Sequence, residues 1–136
     1  MSKTIRETGR MLARMNPLLC EDEFAFCATD DRALAARAQV SALGSFNEDE
    51  GLSLILECGV AAALGFDVGL PMRRIALTVN SALDGVGLTA AVSAALSAAA
   101  IPCNMVAAYR HDHVFVPSDM AERALAILKA LQSECG

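Results

Sequence analysis

The chain has 136 residues, enough for one medium domain or two small ones that lean on each other or on a second subunit. Its 54% hydrophobic content comes largely from alanine and is not gathered into the roughly 20-residue apolar run of a membrane span, so the expectation is a protein with no membrane segment. Aromatics at 4%, no Trp and a net charge of -5 argue against a base-stacking nucleic-acid platform.

The N-terminus, MSKTIRETGR, carries charges throughout and no apolar h-region, so it does not read as a signal peptide and the expected location is the cytoplasm. Thr4 to Met15 places Ile5, Met11, Leu12 and Met15 at helical spacing, and Asn16-Pro17 ends that helix. Glu23 to Thr29 alternates Phe24 and Phe26 against Ala25 and Cys27, the pattern of a strand. Asp31 to Leu43 is rich in Ala and Arg and reads as a short helix, or as a strand around Val40 to Leu43. The acidic stretch Asn47 to Gly51 reads as a turn, either simply solvated or a site for a cation or amine, and leads into a strand over Leu52 to Glu57. Gly59 to Leu64 reads as a short helix capped by Gly65, with a further short strand over Phe66 to Leu70 before Pro71.

The charge balance changes at this proline. Residues 1 to 72 hold six Lys/Arg against eleven Asp/Glu, whereas residues 73 to 136 hold five of each. The shift predicts two domains, 1–72 and 73–136.

In the second, Arg74 to Val79 is a strand of apolar and β-branched residues. A helix follows, capped by Ser81 or Asp84, with a stripe of Leu88, Val92, Ala95 and Ala99, and Pro102 stops it. Cys103 to Tyr109 and Val114 to Val116 form a hairpin. Asp119 then caps a last helix whose buried face is Ala121, Ala124, Leu125, Leu128 and Leu131. The order βαββα lacks the final strand of a βαββαβ unit, and the polar tail from Gln132 is too short to supply one. The missing strand is therefore contributed by the other half of the chain or absent.

Two constellations point to function. In the turn from Asn80 to Thr89, Gly85 and Gly87 let a ligand approach the backbone. The N–H groups at the helix start attract a carboxylate, and Asn80, Ser81 and Asp84 offer grips for an amine or hydroxyl. An amino acid combines those charges. The alternative is that the glycines serve close packing and the polar residues serve as caps. The other constellation is His111-Asp112-His113, whose imidazoles share a face of a strand. It reads as two ligands of a metal site, as a general acid/base, or as a polar hairpin lining a pocket; two ligands are fewer than any zinc site needs. The five cysteines form no metal spacing and read as reduced apolar residues, and no nucleotide or hydrolase motif occurs. No cofactor is expected.

Leu83 to Val92 (LDGVGLTAAV), Ile101 to Asn104 (IPCN) and His111 to Pro117 (HDHVFVP) together resemble a bacterial family of small tandem ACT-domain proteins, related to the regulatory domains of aspartate kinases. Asn47 to Leu54 (NEDEGLSL) resembles the acidic segment of the family's first domain, so the resemblance spans about residues 8 to 131. It implies an α+β fold of two tandem ferredoxin-like ACT domains packed side by side, and a regulatory protein, not an enzyme, that dimerises and holds an amino acid at the domain interface. Carried onto this chain, the binding loop is Asn80, Ser81, Asp84, Gly85, Val86 and Gly87 to Leu88, with Asn104 nearby and His111 and His113 as pocket neighbours. Two other functions remain in play: a small metal-dependent or histidine-based hydrolase using His111 and His113, and an oligomerisation module. The absent final strand and the lack of an attached catalytic domain depart from the regulatory enzymes.

Overall fold

The computed structural model describes residues 8–79 and 87–135. They divide into two compact units, one built from the chain up to Glu21 and from Arg73 onward, the other from Asp22–Met72.

The Asp22–Met72 unit is set by capping and turn chemistry. Strand β1 (Leu18–Thr29) ends where Asp31 caps helix α2 (Arg32–Gln39), its carboxylate accepting from the backbone N–H of Ala33 and Leu34 at 3.0 and 3.2 Å. The strand alternative at Val40 to Leu43 is not what forms. Turn hydrogen bonds from Ser41 to Ala38 and from Ala42 to Gln39 finish the helix, and Val40 is left 87% exposed. Strand β2 (Gly44–Glu48) follows and pairs antiparallel with β3 (Gly51–Glu57), with Phe46 opposite Ser53 and Glu48 opposite Gly51. The acidic turn thus shrinks to Asp49 and Glu50, because Asn47 and Glu48 belong to a strand. Helix α3 (Cys58–Ala63) closes with N–H bonds from Gly65 to Ala62 and from Phe66 to Ala61, the paired pattern that a left-handed residue permits, and Gly65 sits at φ 88°. No strand forms at Phe66 to Leu70, where Asp67 accepts from the N–H of Gly69 in a local turn. The strand order is β2-β3-β1. Both helices lie over Ala25, Cys27, Leu52, Leu54 and Leu56 on one face, with Ala38 and Ala61 the fully buried helix residues.

In the other unit, strand β4 (Met72–Leu77) is followed by α4 (Leu88–Ala98), the hairpin β5 (Asn104–Ala107) and β6 (Asp112–Pro117), a 3-10 turn over Ser118–Met120, and α5 (Ala121–Cys135). Alternation along β4 and β6 sends Ile75, Leu77, Val114 and Val116 to the helix side. Helix α4 meets them with Leu88, Val92 and Leu96, an i, i+4, i+8 stripe in which Leu96 takes the place of the expected Ala95, while Ala99 packs on the same core, partly buried. Helix α4 also ends before Pro102. Ala100 takes φ 57°, and N–H bonds from Ala100 to Ser97 and Ile101 to Leu96 close the last turn. Asp119 lies inside the 3-10 turn, so it does not cap α5 as expected.

The strand order here is β1-β4-β6-β5. The first residues of β1, Leu18 to Glu21, therefore stand where a βαββαβ unit places its last strand, and Arg73 Nε donates to the Cys20 carbonyl at 3.1 Å. Helix α1 (Thr8–Ala13) joins the same core through Met11 and Leu12, with Met15 just past its end, and packs on α5 and α4.

Gly51 (φ 141°) and Gly65 offer a paired test of backbone strain against steric clash. A Cβ on Gly51 would run into the Thr29 carbonyl, whereas one on Gly65 meets nothing. Gly65→Ala should cost about 1 kcal/mol of left-handed strain, and Gly51→Ala clearly more, about 2 kcal/mol or above, in urea titrations.

Candidate functional site

The start of β1 and the end of β4 border a concavity. Along β4 the inward positions are Ile75, Leu77 and, just past the strand, Val79, which leaves Thr78 turned the other way. Thr78 N–H donates to the Met15 carbonyl at 2.7 Å and its hydroxyl to the Asn16 carbonyl at 3.2 Å. Asn16, at φ 41° and followed by Pro17, is held from the far side by α5. Its N–H donates to Gln132 Oε1 and its Oδ1 accepts from Gln132 Nε2, both at 3.0 Å. Asparagine is among the few residues that tolerate this left-handed conformation, and the Gln132 amide locks it in place.

These contacts frame an open cavity of about 590 Å³ lined by Asn16, Pro17, Leu18, Thr78, Lys129, Gln132 and Ser133. Lys129, Gln132 and Ser133 share one face of α5 at i, i+3 and i+4, and among the described residues Lys129 is the sole charged group in the lining. Leu18 and Pro17 supply an apolar wall.

Of the residues expected from sequence, Asn80, Ser81, Asp84, Gly85 and Val86 lie outside the described residues. Gly87 is the N-cap of α4 at φ 110°. Thr78, in the cavity lining, stands two positions before Asn80 in the sequence. Asn104 opens β5 opposite Phe115 and is exposed.

His113 faces Val106 across the hairpin, and its Nδ1 lies 3.4 Å from Arg74 Nη1 of β4. Burial, then the positive charge of Arg74 and of His111, hold His113 below its ordinary value near 6.5, with Asp112 acting weakly the other way. His111 lies just before β6 and is not part of the strand, so the expected alternation of the two histidines on one strand does not form, while Asp112 is buried. Neither histidine nor Asn104 lines the cavity. Among the described residues no group of three His, Cys, Asp or Glu could hold a metal ion. Cys27, Cys58 and Cys103 are free thiols raised above their usual value, chiefly by burial, which keeps them protonated and poorly nucleophilic at neutral pH.

Sequence reasoning missed Asn16, Thr78, Lys129, Gln132 and Ser133. One signal was available: three polar residues at i, i+3 and i+4 on a helix otherwise read for its apolar stripe.

The lowered His113 has a consequence for acid stability. Because the folded state disfavours the imidazolium, its contribution is intact above the unfolded value near 6.5 and is lost as pH falls through that value toward the lower folded one. Between pH 7 and pH 5 the wild type should lose more stability to urea than His113→Gln does.

ACT-domain models match residues 3–73 and 71–130. A solved Vibrio cholerae protein, described as of unknown function and a possible transport protein, is 35% identical with a TM-score of 0.77; the match covers 88% of this chain and 91% of that one. An Agrobacterium tumefaciens protein is 17% identical, TM-score 0.67, over 85% of this chain and 87% of its own. The ligand-free regulatory subunit of aspartate kinase from Thermus thermophilus shares the fold at 11% identity and a TM-score of 0.57, over 85% of this chain and 95% of its own. A search of curated proteins finds no match.

Proposed function

Since the chain belongs to the ACT-domain family, as two tandem domains of α+β ferredoxin-like fold, we propose that it is a regulatory protein that binds a small molecule, an amino acid, and not an enzyme. The matched segments support a division near residue 72, with the chain up to Glu21 grouped in space with the second segment. The ligand is held at the turn that follows β4, Asn80 to Leu88, and the protein acts as a cytoplasmic homodimer. His111 and His113 are assigned no catalytic step.

One observation carries this reading: β4 delivers Thr78 into a polar-edged cavity of about 590 Å³ immediately before that turn. A volume of this size suits a small organic ligand, and an apolar wall with a few convergent polar groups is the usual makeup of such sites. The relation in fold to regulatory subunits of aspartate kinase supports a sensing role over a catalytic one. No described helix is long and apolar enough to cross a membrane.

Thermal shift against each of the twenty amino acids tests the proposal. A true ligand at about 100 times its Kd should add about 2.7 kcal/mol of stability, and the effect should follow free ligand concentration. A folded protein that shifts with none of them would end the amino-acid reading.

A further inference from the structure

The cavity between Asn16 and α5 offers charge as well as volume, and assigning it a ligand class rests on the small-molecule-binding function just proposed. Among the described residues Lys129 is the only charged side chain in its lining, in a chain whose net charge is -5. The positions one turn away on α5, Leu125 and Ala126 before it and Gln132 and Ser133 after it, hold no acid. Glu134, the nearest acid on the helix, is five positions on and off that face. Among the described residues no ion pair neutralises Lys129, whereas Glu122 at the other end of α5 is paired with Arg73 at 3.7 Å. The remaining polar groups are only partly committed. The Thr78 hydroxyl proton goes to the Asn16 carbonyl, which leaves its oxygen as an acceptor, and Gln132 spends one of its two amide protons on Asn16.

We propose that this cavity is a carboxylate site, in which the Lys129 ammonium binds the carboxylate of a small aliphatic ligand. Leu18 and Pro17 cover its carbon chain, and Thr78 Oγ1 accepts from an amino group where the ligand carries one. A single lysine suits a monovalent anion. Phosphate is favoured by bidentate arginines and by helix N-termini, and here there is neither, since α5 contributes its C-terminal half. Gln132, Asn16 and Thr78 are already hydrogen-bonded into one frame, so little ordering of these three is left for the ligand to drive.

The test is a titration of the 15N-labelled full chain, followed by amide shifts, with three probes: sodium butyrate, butyramide and inorganic phosphate. Butyrate should move the amides of Asn16, Thr78, Lys129 and Gln132, and butyramide should leave them in place. Lys129→Gln should weaken butyrate at least tenfold, while Lys129→Arg should stay within about threefold of wild type. Lys129 is exposed, so neither variant should disturb folding. Butyrate shifts that map elsewhere, equal affinity in Lys129→Gln, equal response to butyramide, or a stronger response to phosphate each overturn the assignment. The two proposals fail separately. An amino acid that stabilises the protein while shifting amides away from the cavity sinks this site alone, and butyrate binding without any amino-acid response sinks the amino-acid reading alone.

Discussion

Strand β1 is the constraint on which both units depend. Its early residue Leu19 packs against one core, while Ala25 and Cys27, near its end, are buried in the other. Twelve residues of uninterrupted extended chain are needed to serve both, about twice the usual strand length. The strands of each unit include part of β1. The C-terminal unit takes its final strand from Leu18 to Glu21, and that borrowing also explains why the polar tail after Leu131 does not have to turn into a strand. It stays helical to Cys135 and brings Gln132 back to Asn16.

Alanine makes the layers close. Ala25, Ala38 and Ala61 in one core and Ala121 and Ala124 in the other are fully buried, and a helix with a methyl at its contact can approach a sheet more nearly than one with leucine. The larger side chains are then concentrated at a few points, among them Phe115, Met11, Met15 and Leu128. Methionine at two of those points fits α1 onto α5 and α4, because its unbranched chain adapts to irregular gaps. Met15 also ties packing to the site. Its side chain is buried in the core while its carbonyl accepts the Thr78 N–H, so the wall of the cavity is anchored by the same residue that anchors the N-terminal helix.

Where sequence and structure part, local hydrogen bonding is the reason. Gly44 to Glu48 holds one strong strand former, Phe46, and its pairing partner Leu52 to Glu57 lies across a turn of two acids; only the register with β3 makes it a strand. Ala100 adopts a left-handed conformation that its type does not announce, and so α4 stops before the proline that seemed to stop it. Phe66 to Leu70 has strand-like residues but no neighbour with which to pair, and Asp67 draws it into a turn. Of the two histidines only His113 falls in β6, turned to Arg74, an assignment no spacing rule gives.

By itself the sequence determined the class of fold, the family through its LDGVGL, IPCN and HDHVFVP segments, and most of the elements, because each of these rests on periodicity or on residue types read within one stretch of chain. The source of the last strand and the identity of the cavity were decided only in three dimensions. Asn16, Thr78 and Gln132 are separated by 62 and by 116 positions at their contacts, and nothing local in any of them marks the other two. Lys129 is an ordinary exposed helix lysine in sequence. It becomes the charge of a site only because β1 folds back beside β4 and sets Asn16 to Leu18 against the end of α5.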